Sequence, residues 1–126
     1  MNSKLVSWVL RVAVAGEFIG HGSFALEGKA DWIKWIGQLT GADLALAGQL
    51  LWWVGALDIV VALIILIRPI PIVLLWATFW GFWTALVRPL VGLPVWDFIE
   101  RWANWGAPLA LLLLIGWPKN LKGWFK

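Results

Sequence analysis

The chain has 126 residues, of which 62% are hydrophobic and 13% charged, with a formal net charge of +3. A soluble domain of this length needs a charged surface to stay in solution, and this composition does not supply one. With no cysteine and a single histidine, it excludes disulfides, thiol redox chemistry, thiolate zinc sites, cysteine-held iron–sulfur clusters and bis-histidine haem ligation within one chain.

A bilayer span takes about 20 mainly apolar residues. Four such stretches and their short connections use up the sequence, which predicts an all-α integral membrane protein. The expected fold is one membrane domain over residues 1–126: a four-transmembrane-helix bundle with a short amphipathic interfacial helix between helices 1 and 2. The first span covers about 5–26. Arg11, Glu17 and His21 interrupt its apolar run and no small-residue cleavage site follows, so it reads as a retained helix rather than a signal peptide.

Residues 31–39 place Trp32, Ile36 and Leu39 at helical spacing, with Asp31, Lys34 and Gln38 elsewhere around the turn, a pattern that suits an interfacial helix. The second span covers about 44–67 and is ended by Arg68-Pro69-Ile70-Pro71, where the prolines remove donors and fix a turn. The third covers about 72–87, followed by a connection from Arg88 to Pro94, and the fourth about 95–117, stopped by Pro118. Pro108 frees the carbonyl of Asn104 from its helical bond and predicts a kink.

Basic residues sit beside these spans, so they read as topology signals and not as a nucleic-acid surface. With both termini inside, the inner side holds Lys4, Arg11, Arg68, Lys119, Lys122 and Lys126. The outer side holds Lys29, Lys34, Arg88 and Arg101, diluted by Glu27, Asp31, Asp43, Asp97 and Glu100, which favours cytoplasmic termini.

Small residues let helices approach in a membrane. They point to contact faces at Ala13, Gly16 and Gly20 on the first helix, Gly48, Gly55 and Ala62 on the second, and Ala77, Gly81, Thr84 and Ala85 on the third. Asp58 shares the second of these faces and Arg88 the third, so both point inward, and the polar residues gather in the outer half of the bundle.

Gly16-Glu17-Phe18-Ile19-Gly20-His21-Gly22 resembles the start of DoxX-like membrane proteins, as do Gly55-Ala56-Leu57-Asp58 and the closing Arg68-Pro69. Residues 84–90 and 100–109 extend the likeness over nearly the whole chain. The resemblance implies a four-helix bundle in the bacterial cytoplasmic membrane. Some relatives are tied to membrane redox systems, including quinone-linked thiosulfate oxidation and oxidative-stress complexes, which implies redox-complex subunits as partners.

Glu17 and His21, at i and i+4, stand about 6 Å apart on one face. They form either a proton-handling pair, a polar anchor for a quinone carbonyl, or a buried pair that fixes packing. His21 is also the one residue able to ligate a haem or pigment. Asp58 calls for a partner in Arg88 or His21. Arg88, Glu100 and Arg101 read as an ion-pair network that holds the end of the bundle, and Arg88 and Asn104 also join the ligand-binding candidates. Trp76, Trp80 and Trp83, at i, i+4 and i+7, form a stripe that serves either packing or an aromatic pocket. No nucleophile–base pair, phosphate loop or metal-ligand set is present, so catalysis by this chain alone is not expected and no metal site is assigned. Three classes of function stay open: an accessory or anchoring subunit of a redox assembly that binds quinone, a proton or small-solute carrier or channel (alone or as a homo-oligomer), and a structural scaffold.

Overall fold

The computed structural model describes residues 2–126, which form helices and turns with no strand among them. In chain order these are α1 (Ser3–Leu26), α2 (Ala30–Thr40), α3 (Leu44–Ile67), α4 (Pro71–Leu90), α5 (Val95–Ile99) and α6 (Ala103–Ile115), with a 3₁₀ turn at Lys122–Phe125. Three of them, α1, α3 and α4, are long and apolar enough to cross a membrane.

The boundaries follow from local chemistry. Asn2 opens α1 by accepting the Leu5 N–H at 3.1 Å, and Asp43 opens α3 by accepting the Leu46 N–H at 2.8 Å. α1 ends in a Schellman motif, with Lys29 N–H on Phe24 O at 3.1 Å and Gly28 N–H on Ala25 O at 3.0 Å. The same motif closes α4, with Leu93 N–H on Arg88 O at 3.0 Å and Gly92 N–H on Pro89 O at 3.1 Å. Gly28 and Gly92 take φ of 76° and 99° there, a backbone region open to glycine at little cost. Pro71 occupies the first turn of α4, where a missing N–H costs nothing.

The third stretch therefore runs past Arg88 and through Pro89 to Leu90, because a proline in the last turn removes a single bond. The last stretch is divided. Residues 100–102 make a tight turn between α5 and α6, with Arg101 N–H on Phe98 O, Trp102 N–H on Ile99 O and Asn104 N–H on Arg101 O at 2.9–3.2 Å. The interruption thus falls at Glu100–Trp102, while Pro108 stays within α6.

α1 packs chiefly on α3 and α6, and α4 on α6; α3 and α4, although joined by a short turn, touch little. Val14, Ala15 and Phe18 of α1, Val61, Ala62 and Ile65 of α3, Leu74 and Ala77 of α4, and Leu111 and Leu112 of α6 form one buried apolar core. This core runs from the middle of the bundle toward the end that carries Arg11, Arg68 and the 3₁₀ turn. Arg11 of α1 reaches the open end of α3, donating from Nε to Ile65 O at 3.1 Å and from a terminal nitrogen to Leu66 O. A cation on the free carbonyls at a helix C-terminus is favourable twice over, by hydrogen bonding and by the helix dipole.

Glycines set the closest approaches. A Cβ on Gly55 would stand 2.8 Å from Gly22 O and 2.9 Å from Leu26 N, so α1 and α3 cross backbone to backbone. A Cβ on Gly81 would stand 2.2 Å from Asn104 O, which closes α4 on α6. The carbonyl freed by Pro108 leans onto the one α4 position without a side chain. Gly55, Ala62, Ala77, Gly81 and Ala85 are buried as their spacing indicates. The face of α1 needs correction: Ala13, Gly16 and Gly20 are exposed, and Val14, Ala15, Phe18, Gly22 and Ala25 pack inward. Gly22 is the residue that meets Gly55, and that pairing decides the rotation of α1.

Candidate functional site

Toward the opposite end α3 and α4 leave a gap, covered by α2. A cavity of about 270 Å³ fills it. His21 of α1 contributes to its lining, with Leu50, Leu51, Val54 and Asp58 of α3 and Trp80, Trp83, Thr84, Val87 and Arg88 of α4. α2 contributes Trp32, Trp35, Ile36, Leu39 and Thr40. The length of α2 is set between Lys29 and Gly41, whose φ of 77° ends the helix. It turns Trp32, Ile33, Trp35 and Ile36 toward the bundle and leaves Asp31, Lys34 and Gln38 exposed.

The wall is aromatic and aliphatic, and the polar groups are few and specific. Asp58 is 3% exposed and Arg88 6%. Arg88 donates from Nη1 to Thr84 O at 2.5 Å, and its guanidinium carbon lies 5.1 Å from the Trp35 ring centre. Its Nε and the Oδ1 of Asp58 are buried without a protein hydrogen-bond partner. Buried polar atoms are nearly always paired; Trp76 Nε1 and Trp105 Nε1, outside the cavity lining, are unpartnered as well. Trp32 meets the His21 ring edge to face, with centroids 5.7 Å apart.

The candidate residues divide accordingly. His21, Asp58, Arg88, Trp80 and Trp83 line the cavity together. Trp76, one turn deeper, stacks on Trp80 at 5.3 Å and packs against the apolar core, outside the cavity lining. Glu17 lies within electrostatic reach of Asp58 but does not line the cavity. No hydrogen bond joins Glu17 to His21 among the described residues, and no ion pair joins Asp58 to Arg88 or His21. The cations near enough to act on His21 are Arg88, Arg101 and Lys29.

Arg101 binds Glu100 Oε1 at 2.7 Å and Asp97 O at 2.8 Å from one nitrogen, at the rim where α5 meets α6. Asn104 sits at the α4–α6 crossing through its main chain and is also outside the cavity lining. No group of three or more potential metal ligands occurs among the described residues.

The sequence pattern puts Trp32 on an interfacial helix and does not single out Trp35. Their role as the cavity's cover depends on α2 folding back over the α3–α4 gap, and the inward side of its apolar stripe was the available signal. Thr84 likewise read as a small contact residue, yet its carbonyl holds Arg88. No family model matches the chain, and comparisons with curated proteins and with solved structures found no match.

Proposed function

We propose that the chain is a DoxX-like four-span protein of the bacterial cytoplasmic membrane that holds a quinone in this cavity. It serves as an accessory or anchoring subunit of a membrane redox assembly. α5, the turn at 100–102 and α6 together make the fourth span, α2 lies in the outer interface, and both termini are cytoplasmic. The exterior supports lipid as the solvent, since Val9, Val12, Trp53, Val60, Leu63, Phe79 and Leu113 all face outward.

One observation carries the reading: a tryptophan-walled cavity lined at separate points by Asp58 and Arg88, each of which leaves an atom unpartnered. Ligand pockets are mostly apolar, with a few convergent polar groups that fix orientation. A quinone ring is flat and suits Trp32, Trp35, Trp80 and Trp83. Its carbonyl accepts from the Arg88 guanidinium or from His21, and the hydroxyl of the reduced form donates to Asp58. At about 270 Å³ the cavity takes a head group, and the isoprenoid tail leaves between α3 and α4, where the helices touch little.

The carrier alternative has less support, because the apolar core closes the other half of the bundle and the polar cluster does not continue through it. Protein purified gently from its native membrane, extracted into organic solvent and analysed by mass spectrometry tests the proposal. A stoichiometric quinone is expected. Bulk phospholipid alone would reject quinone binding and favour a scaffold.

A further inference from the structure

All seven acidic residues of the chain, Glu17, Glu27, Asp31, Asp43, Asp58, Asp97 and Glu100, lie in or toward the half of the bundle that holds the cavity. The opposite end carries Lys4, Arg11, Arg68, Lys119, Lys122 and Lys126 with no acidic side chain among them. A second groove, of about 280 Å³, lies at this end along the outer face of α3. Val60, Leu63, Ile64 and Ile67 form its length, and Arg68 and Ile70 its mouth. Val60, Leu63 and Ile67 are about half to four-fifths exposed, so the protein itself leaves this apolar strip uncovered.

Arg68 is held at the mouth by a bond from Nε to the main-chain oxygen of Lys126 at 3.0 Å. That contact brings the Lys126 main chain beside the guanidinium, while the two terminal nitrogens of Arg68 make no hydrogen bond to the described residues. A guanidinium offers those nitrogens in a planar fork that matches two oxygens of a phosphate. The depth also fits a head group: Trp117 and Trp124 pair edge to face at 5.0 Å at this end, and Trp8 lies under Arg11 at 3.8 Å. Tryptophan gathers where the hydrocarbon meets the head groups.

We propose that this groove is a binding site for one anionic phospholipid, with an acyl chain along Val60, Leu63 and Ile67 and the phosphate on Arg68 and Lys126. An apolar groove that ends at a cation with two free terminal nitrogens, on an end of the molecule with no acidic side chain, selects a lipid with a net negative head over a zwitterionic one. The inference rests on the chain lying in a bilayer and is independent of quinone in the other cavity, because its readout is lipid retention.

The test is native mass spectrometry of delipidated protein titrated with phosphatidylglycerol or phosphatidylethanolamine of identical acyl chains. Wild type is expected to retain one phosphatidylglycerol at least fivefold better than phosphatidylethanolamine. Arg68→Gln with Lys126→Gln should abolish the preference, Leu63→Trp should weaken retention by filling the groove, and Lys119→Gln with Lys122→Gln should leave it intact. Far-ultraviolet circular dichroism of each variant checks that the helices persist. Equal retention of the two lipids by wild type would overturn the proposal. So would a preference that survives Arg68→Gln with Lys126→Gln in folded protein, or one that falls equally with the Lys119 and Lys122 substitutions.

Discussion

Gly81→Ala should be among the most damaging single-methyl additions in this chain. The new Cβ would stand 2.2 Å from Asn104 O, 2.7 Å from its carbonyl carbon and 3.1 Å from Trp105 N. All three are main-chain atoms, so no side chain can swing aside. α4 and α6 would have to part by about 1 Å to restore ordinary contact, loosening the dispersion contacts of Ala77, Ala85 and Leu111 nearby. Overpacking of this kind costs about 1–3 kcal/mol, which corresponds to a fall of roughly 5–15 °C in Tm. Thermal unfolding in mild detergent, followed by tryptophan fluorescence, measures it. Gly16→Ala and Gly20→Ala are the controls: a Cβ at either meets nothing within 4 Å, and neither should lower Tm. The clash also depends on Pro108, which lacks the N–H that would hold the Asn104 carbonyl in line, so Pro108→Ala should rescue part of the Gly81→Ala loss. A Gly81→Ala protein as stable as wild type, or one no worse than Gly16→Ala, would refute the close crossing of α4 on α6.

Removing the guanidinium in Arg11→Leu leaves the carbonyls of Ile65 and Leu66 without their donor at the end of α3. The expected loss is about 1.5–3 kcal/mol, measured by the same unfolding assay, with Arg11→Lys recovering part of it. Two tryptophan substitutions separate the cavity wall from the core. Trp35→Leu removes a wall and the face under Arg88, and should weaken quinone affinity about tenfold with a small change in Tm. Trp76→Leu should lower Tm and leave quinone affinity unchanged, because Trp76 packs on Trp80 and the core; equilibrium titration of both proteins distinguishes the two effects.

Much of the helical framework is legible in the sequence because its ends are written in short-range chemistry. Asp43 caps α3, Pro69 and Pro71 bound the next turn, and the run from Leu44 to Ile67 comes out with those limits. The last stretch is less legible, since apolar content alone does not show that the turn tightens at Glu100–Trp102. The inward face of α1 was ambiguous for a physical reason. Two small-residue stripes lie next to each other on that helix, one through Gly16 and Gly20 and one through Ala15, Gly22 and Ala25. The second is used because Gly22 can meet Gly55, a fact that belongs to the pair of helices and not to either alone.

The cavity shows the same limit. Asp58 and Arg88 are recognisable as inward residues from their stripes, and both line it. Their separation is not recognisable, because opposite charges on facing helices suggest a salt bridge until the gap between α3 and α4 is seen. Trp76 shares a stripe with Trp80 and Trp83, but only depth tells a cavity wall from the core beneath it.

Titrating ligand-free protein with a short-tailed quinone tests the proposal that the cavity lined by Asp58, Arg88 and the tryptophans holds a quinone. The readout is quenching of tryptophan fluorescence, in wild type and in Asp58→Asn with Arg88→Lys. Saturable quenching at one quinone per chain is expected, with affinity at least tenfold weaker in the variant. Quenching that rises linearly without saturation, or saturates identically in both proteins, would contradict the proposal.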